Sequence, residues 1–150
     1  VVARVPAQQM TDFSKWRFYS KGKWVKDISN ISHLFNGIAP EYSVSYLPEL
    51  KKYITVFTEN GMSKNIMIRT ATTPVGPWSN ATVIYQCPEM SWSSTYFCYA
   101  AKAHPSISMS GHELMITYVC NSFDFWEMVK DPRIYFPKFI RIVINKYRDS

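Results

Sequence analysis

Glu41-Tyr-Ser-Val-Ser-Tyr-Leu-Pro48 is followed by the apolar run Tyr53-Ile-Thr-Val-Phe57, and the same order returns as Tyr99-Ala-Ala-Lys-Ala-His-Pro105 followed by Leu114-Met-Ile-Thr-Tyr118. Each unit closes on a run with an Ile/Arg pattern, Ile66-Met-Ile-Arg69 in the first and Phe139-Ile-Arg-Ile142 in the second. Apolar and polar residues alternate with period two, which sends successive side chains to opposite faces of a strand. Helical periodicity is nearly absent. The pattern predicts strands near Trp16–Tyr19, Glu41–Tyr46, Tyr53–Thr58, Asn65–Thr70, Thr82–Tyr85, Phe97–Ala103, Glu113–Val119 and Tyr135–Val143. Turn chemistry separates them: Glu59-Asn60-Gly61 after one strand and Ser110-Gly111-His112 before another. Two prolines bar Thr73-Pro-Val-Gly-Pro-Trp78 from a central strand. Asn121 to Pro132 is the stretch expected to hold a short helix or an ordered loop.

Repeats of roughly 40–60 residues built from about four antiparallel strands are the sequence form of propeller blades, which must stack because no blade buries both faces alone. The expected fold class is therefore all-β, with residues 1–35 ending one blade, 36–87 forming a complete one and 88–150 forming a last one. A ring needs at least four blades, and 150 residues supply about two and a half. The expectation is the carboxy-terminal portion of a propeller, completed by a second polypeptide or by copies of itself. The start on Val1 fits a cut product.

Composition narrows the functional classes. Hydrophobic residues are 47% and charged residues 19%, so the chain is built to fold rather than to stay disordered. No apolar run approaches the roughly 18 residues of a membrane span. The net charge is +6, and Lys15, Arg17, Lys21, Lys23 and Lys26 cluster around Trp16 and Trp24. Basic residues interleaved with aromatics can bind single-stranded nucleic acid. The competing reading is two strands joined by a Lys-Gly-Lys turn with lysines in water, and nucleic-acid-binding signatures are absent. Cys87 and Cys98 flank the polar loop Glu89 to Thr95 and are read as a disulfide that leaves Cys120 over. The cysteines, with sequons at Asn30-Ile-Ser and Asn80-Ala-Thr, point to a secreted glycoprotein.

Trp16-Arg-Phe-Tyr-Ser-Lys-Gly-Lys-Trp24, Glu41-Tyr-Ser-Val-Ser-Tyr46, Arg69-Thr-Ala-Thr-Thr-Pro-Val-Gly-Pro-Trp-Ser79 and Lys102-Ala-His-Pro105 resemble the five-bladed propeller glycoside hydrolase-like proteins. These comprise the arabinanase and xylosidase group and related secreted proteins of unknown function. The resemblance covers nearly the whole chain and suggests its last two blades. It implies hydrolysis of a polysaccharide or glycoside by general acid/base chemistry. The alternative is a lectin-like propeller that binds carbohydrate without turnover.

Glycoside hydrolysis uses two carboxyl groups, one protonating the leaving oxygen and the other activating water or attacking. Glu41 opens the innermost strand of the complete blade, where partial desolvation would suit an acid, and the resemblance puts the general acid at the corresponding place. A strand-end Glu that pairs with a lysine or caps a turn is the plainer reading. The resemblance places the base on blades outside this chain. His104 is expected at the equivalent place in the next blade, where it would hold a water or, through water, a calcium ion on the propeller axis; no cofactor is expected to be required. The plainer reading is a buried His bonded to backbone. Lys102 shares the parity of His104 and would contact a charged sugar or pair with an acid. Trp92 and Tyr99 are candidate sugar-stacking faces, against the alternative of ordinary packing. Phe123, Phe125 and Trp126 are weighed in the same way.

Overall fold

A computed structural model describes residues 1–108, 110 and 112–144. Gly111 of the expected Ser110–His112 turn and residues 145–150 of the expected last blade lie outside the described residues. The chain is all-β, in three antiparallel sheets laid down consecutively. The first holds β1 (Ala3–Arg4), β2 (Arg17–Ser20) and β3 (Lys23–Val25). The second holds β4 (Tyr42–Leu47), β5 (Lys52–Thr58), β6 (Asn65–Ala71) and β7 (Thr82–Gln86), in sequence order. The third holds β8 (Tyr96–Ala103), β9 (Glu113–Ser122) and β10 (Lys138–Val143), again each beside the next. A six-residue helix, α1 (Phe125–Lys130), falls inside the Asn121–Pro132 stretch. Asp124 starts it by accepting the Trp126 amide at 2.9 Å.

The last strand starts later than its pattern predicts. Pro132–Tyr135 forms a tight helical turn capped by Asp131, and Pro137 brings no amide to a ladder, so pairing with β9 begins at Lys138. The basic cluster follows the plainer reading for Lys21 and Lys23, which are exposed on the β2–β3 hairpin. Lys21 and Gly22 both take positive φ there, as a two-residue hairpin turn requires. No described helix is long and apolar enough to cross a membrane.

The core lies between the second and third sheets. Strand β9 alternates without a break, burying Leu114, Ile116, Tyr118 and Cys120 against Leu47, Ile54, Val56 and Ile66. Strand β8 packs on β4 and β5. Two side chains stitch this junction: Thr58 Oγ1 accepts the Ala101 amide at 3.2 Å, and Ser43 Oγ accepts the Ala103 amide at 2.8 Å. Small residues at 101 and 103 let the backbones approach this closely. Hydrogen bonding also explains why β4 carries Ser43 where a core strand would carry an aliphatic residue.

One cysteine expectation is corrected. The disulfide joins Cys98 to Cys120, not Cys87 to Cys98. The two are opposite one another in the β8–β9 ladder. Cys87 is a free, buried thiol. It ends the β7 connection, its amide donating to the Lys64 carbonyl at 2.8 Å. Burial, and then the nearby Glu89 charge, push the Cys87 thiol up to about 12. The free-chain thiol ionises near 9.0, so between these values the unfolded chain holds fewer protons and stability falls as pH rises. Cys87 should therefore resist iodoacetamide at pH 8 in the folded protein and react on denaturation, as mass spectrometry of the labelled peptide would show.

Candidate functional site

Glu41 sits at the threshold of β4, and three contacts hold the segment before it. Phe35 packs on Phe57 and Trp78, with ring centroids 6.4 and 5.7 Å away. The Gly37 carbonyl accepts the Asn60 amide at 3.0 Å, and Ala39 is buried. Asn60 and Gly61 both adopt positive φ, which Gly and Asn tolerate best, so this turn folds back toward Gly37.

An open cleft of about 460 Å³ lies beside Glu41, walled by Pro40, Asn60, Met62, Phe97 and Tyr99. The structure thus brings together two of the expected site residues, Glu41 and Tyr99. The Glu41 side chain is exposed on this chain rather than partly desolvated as expected. It is not paired with a lysine: the ion pairs among the described residues are Arg133–Asp131 and Arg141–Glu113. An exposed, unpaired carboxylate at the edge of a largely apolar cleft is free to hydrogen-bond a ligand.

The other expected residues stand elsewhere. Strands β4 and β8 run side by side in one direction. Tyr99 is beside Glu41, Ala103 meets Ser43, and Pro105 and Ser108 share a groove with Leu47 and Pro48 at the far end. Tyr99, rather than His104, is therefore level with Glu41. His104 is half-buried and its Nε2 pairs with Thr117 Oγ1 at 2.8 Å, on the β9 face turned away from the core. The plainer expectation of a buried His bonded to backbone holds only in that the ring is hydrogen-bonded: it is half-buried and its partner is a side chain. Lys102 is opposite the same Thr117 in the ladder. Trp92 is exposed at the end of the Pro88–Ser91 turn and lies outside the cleft. Calcium takes six to eight oxygen ligands, and Thr117 Oγ1 is the side-chain partner shown at the His104 ring.

Phe97, Asn60 and Met62 were not singled out from the sequence. Phe97 was within reach, since it precedes Tyr99 by two and period two puts both on one face. Glu89 was read as part of a polar loop but is buried, 5% exposed, and receives the Tyr118 hydroxyl at 3.3 and 3.1 Å on its two oxygens. It is the anchor of the Pro88–Ser91 turn against the core. Glu89, Cys98 and Cys120 bring potential ligand atoms together, but both sulfurs are committed to the disulfide. That cluster is structural. Glu127 gathers the hydroxyls of Ser93, Thr95 and Ser122, which hold its carboxyl below the usual range and pin α1 to the loop before β8.

The profile of a family described as "Domain of unknown function (DUF5005)" matches residues 1–145. The chain belongs to that family. No curated protein matches this DUF5005 chain. Among solved structures it is similar to a "putative hydrolase" from Bacteroides ovatus ATCC 8483, with TM-score 0.72 and 18% sequence identity over 95% of this chain. At that identity the likeness is one of fold. The chain spans 38% of the length of that protein.

Proposed function

We propose that this DUF5005 chain forms part of a secreted, propeller-type glycoside hydrolase, with Glu41 as the general acid. The observation that carries the reading is that Glu41, exposed and in no ion pair among the described residues, lines one cleft together with Phe97 and Tyr99. A carboxylate beside apolar aromatic walls is the arrangement that protonates a glycosidic oxygen while a sugar ring is held. The hydrolase description of the Bacteroides ovatus protein agrees with it. The successive meanders supply consecutive blades, and a second polypeptide or further copies of the chain supply the rest, including the catalytic base. Closing the ring would also cover Glu41 and give it the desolvation it lacks on this chain.

Lys102 and His104 then belong to the junction with the neighbouring blade, and Trp92 to the rim. A calcium ion on the axis would take most of its oxygens from water and from other blades. The second reading, a lectin-like propeller, uses the same cleft without turnover and is favoured by the cleft's lining, in which Glu41 is the one carboxylate among the described residues. The test is native mass spectrometry of the purified particle together with reducing-end assays on plant and microbial polysaccharides. The expected result is a particle heavier than one chain that releases reducing ends. Glycan binding without release would select the lectin reading.

A further inference from the structure

Strand β8 breaks its regular geometry at one place. Ala100 has φ +59° in mid-strand, and the pairing with β9 slips between Tyr99 and Lys102. A left-handed alanine is disfavoured, and such bulges re-aim side chains where a site needs them. Here the bulge follows directly on Tyr99, a wall of the Glu41 cleft. Beside it, the Phe97 ring lies 5.6 Å from that of Tyr99 and 4.4 Å from that of Phe123. Phe123 is 72% exposed, so its packing on Phe97 braces the wall more than it fills a core. Among the described residues the cleft is lined by no Lys, Arg or His, although the chain carries a net charge of +6.

We infer that Tyr99 and Phe97 form a stacking subsite for an uncharged sugar ring, aimed at Glu41 by the Ala100 bulge and braced by Phe123. The inference rests on the saccharide reading of the cleft and narrows it to neutral glycans. The apolar C–H face of a sugar ring covers an aromatic face, while its hydroxyls reach Glu41 and Asn60. A uronate or sulfated sugar would meet the Glu41 carboxylate with no cation to offset the repulsion. Lys102, opposite Thr117 in the ladder and absent from the cleft lining, does not supply one.

The experiment is calorimetry and saturation-transfer NMR on the full chain. Xylohexaose and cellohexaose serve as neutral probes and tri-galacturonate as the anionic one. The expected result is binding of a neutral hexasaccharide and at least about tenfold weaker binding of tri-galacturonate. Tyr99→Ala and Phe97→Leu should each weaken neutral binding about five- to tenfold. Phe123→Ala, at an exposed ring, should weaken it by a smaller factor with Tm unchanged. Ala100→Gly, which favours the same φ, should keep it. Tri-galacturonate binding as tightly as the neutral probes would overturn the inference. So would undiminished affinity in Tyr99→Ala and Phe97→Leu, or no neutral probe bound by the unaltered chain. Glu41→Gln separates the two claims. Retained binding with unchanged turnover by the native particle would sink the acid assignment and leave the stacking subsite standing.

Discussion

Glu41→Gln lowers glycan hydrolysis by the native particle about 10²- to 10⁴-fold, the share that a positioned general acid supplies. Glutamine keeps the shape of the side chain and its hydrogen bonding but has no transferable proton. Glycan affinity should stay within about twofold, because the glutamine still hydrogen-bonds the sugar hydroxyls and the stacking on Tyr99 and Phe97 is untouched. The leaving group gives a sharper readout. An aryl glycoside whose phenol is strongly acidic departs without protonation, so the variant should hydrolyse it nearly as fast as the unaltered protein. A general acid is the role that produces this split, since a residue that only shaped the cleft would slow both substrates alike. Equal losses on natural and activated substrates would remove Glu41 from the mechanism, and equal rates on natural substrate would do so outright.

Breaking the Cys98–Cys120 bridge is the second large effect. The cysteines are 22 residues apart, and releasing a loop of that size from the unfolded chain costs about 3 kcal/mol of stability. Cys120→Ser and Cys98→Ser should each lose about that much in urea denaturation. The loss includes the hydroxyl left in a core position with 0% exposure. Cys87→Ser should lose less, about 1–2 kcal/mol, since it breaks no cross-link and leaves one hydroxyl to find a partner. Non-reducing peptide mapping checks the connectivity independently. A cross-linked peptide joining positions 87 and 98, or a Cys87→Ser variant as weak as the other two, would contradict the bridge described above.

The fate of the cysteines shows where local reading stops. Cys87 and Cys98 bracket a loop, and proximity along the chain makes them the natural pair. The partner of Cys98 is chosen instead by the register of β9 against β8, which sets Cys120 opposite it. Register follows from which residues of β9 face the core, and that is a property of two strands together. The same limit explains His104. From the sequence it is expected at the place in the next blade equivalent to that of Glu41. In the packed sheets Tyr99 is the β8 residue beside Glu41, and the His104 ring pairs with Thr117.

What the amino-acid order determined by itself is most of the strands and turns, though not the short β1, and the all-β class. Those depend on period-two alternation, on Asn60-Gly61 and Lys21-Gly22 at turns, and on prolines at 74 and 77 that forbid a central strand. Each of these acts over a few residues, so each is written in a few residues. Tertiary structure alone decided the Cys98–Cys120 pairing, the burial of Glu89 under Tyr118, and the meeting of Glu41 with Phe97 and Tyr99. Those depend on how one sheet settles on the next, where closeness is set by packing and register rather than by separation along the chain.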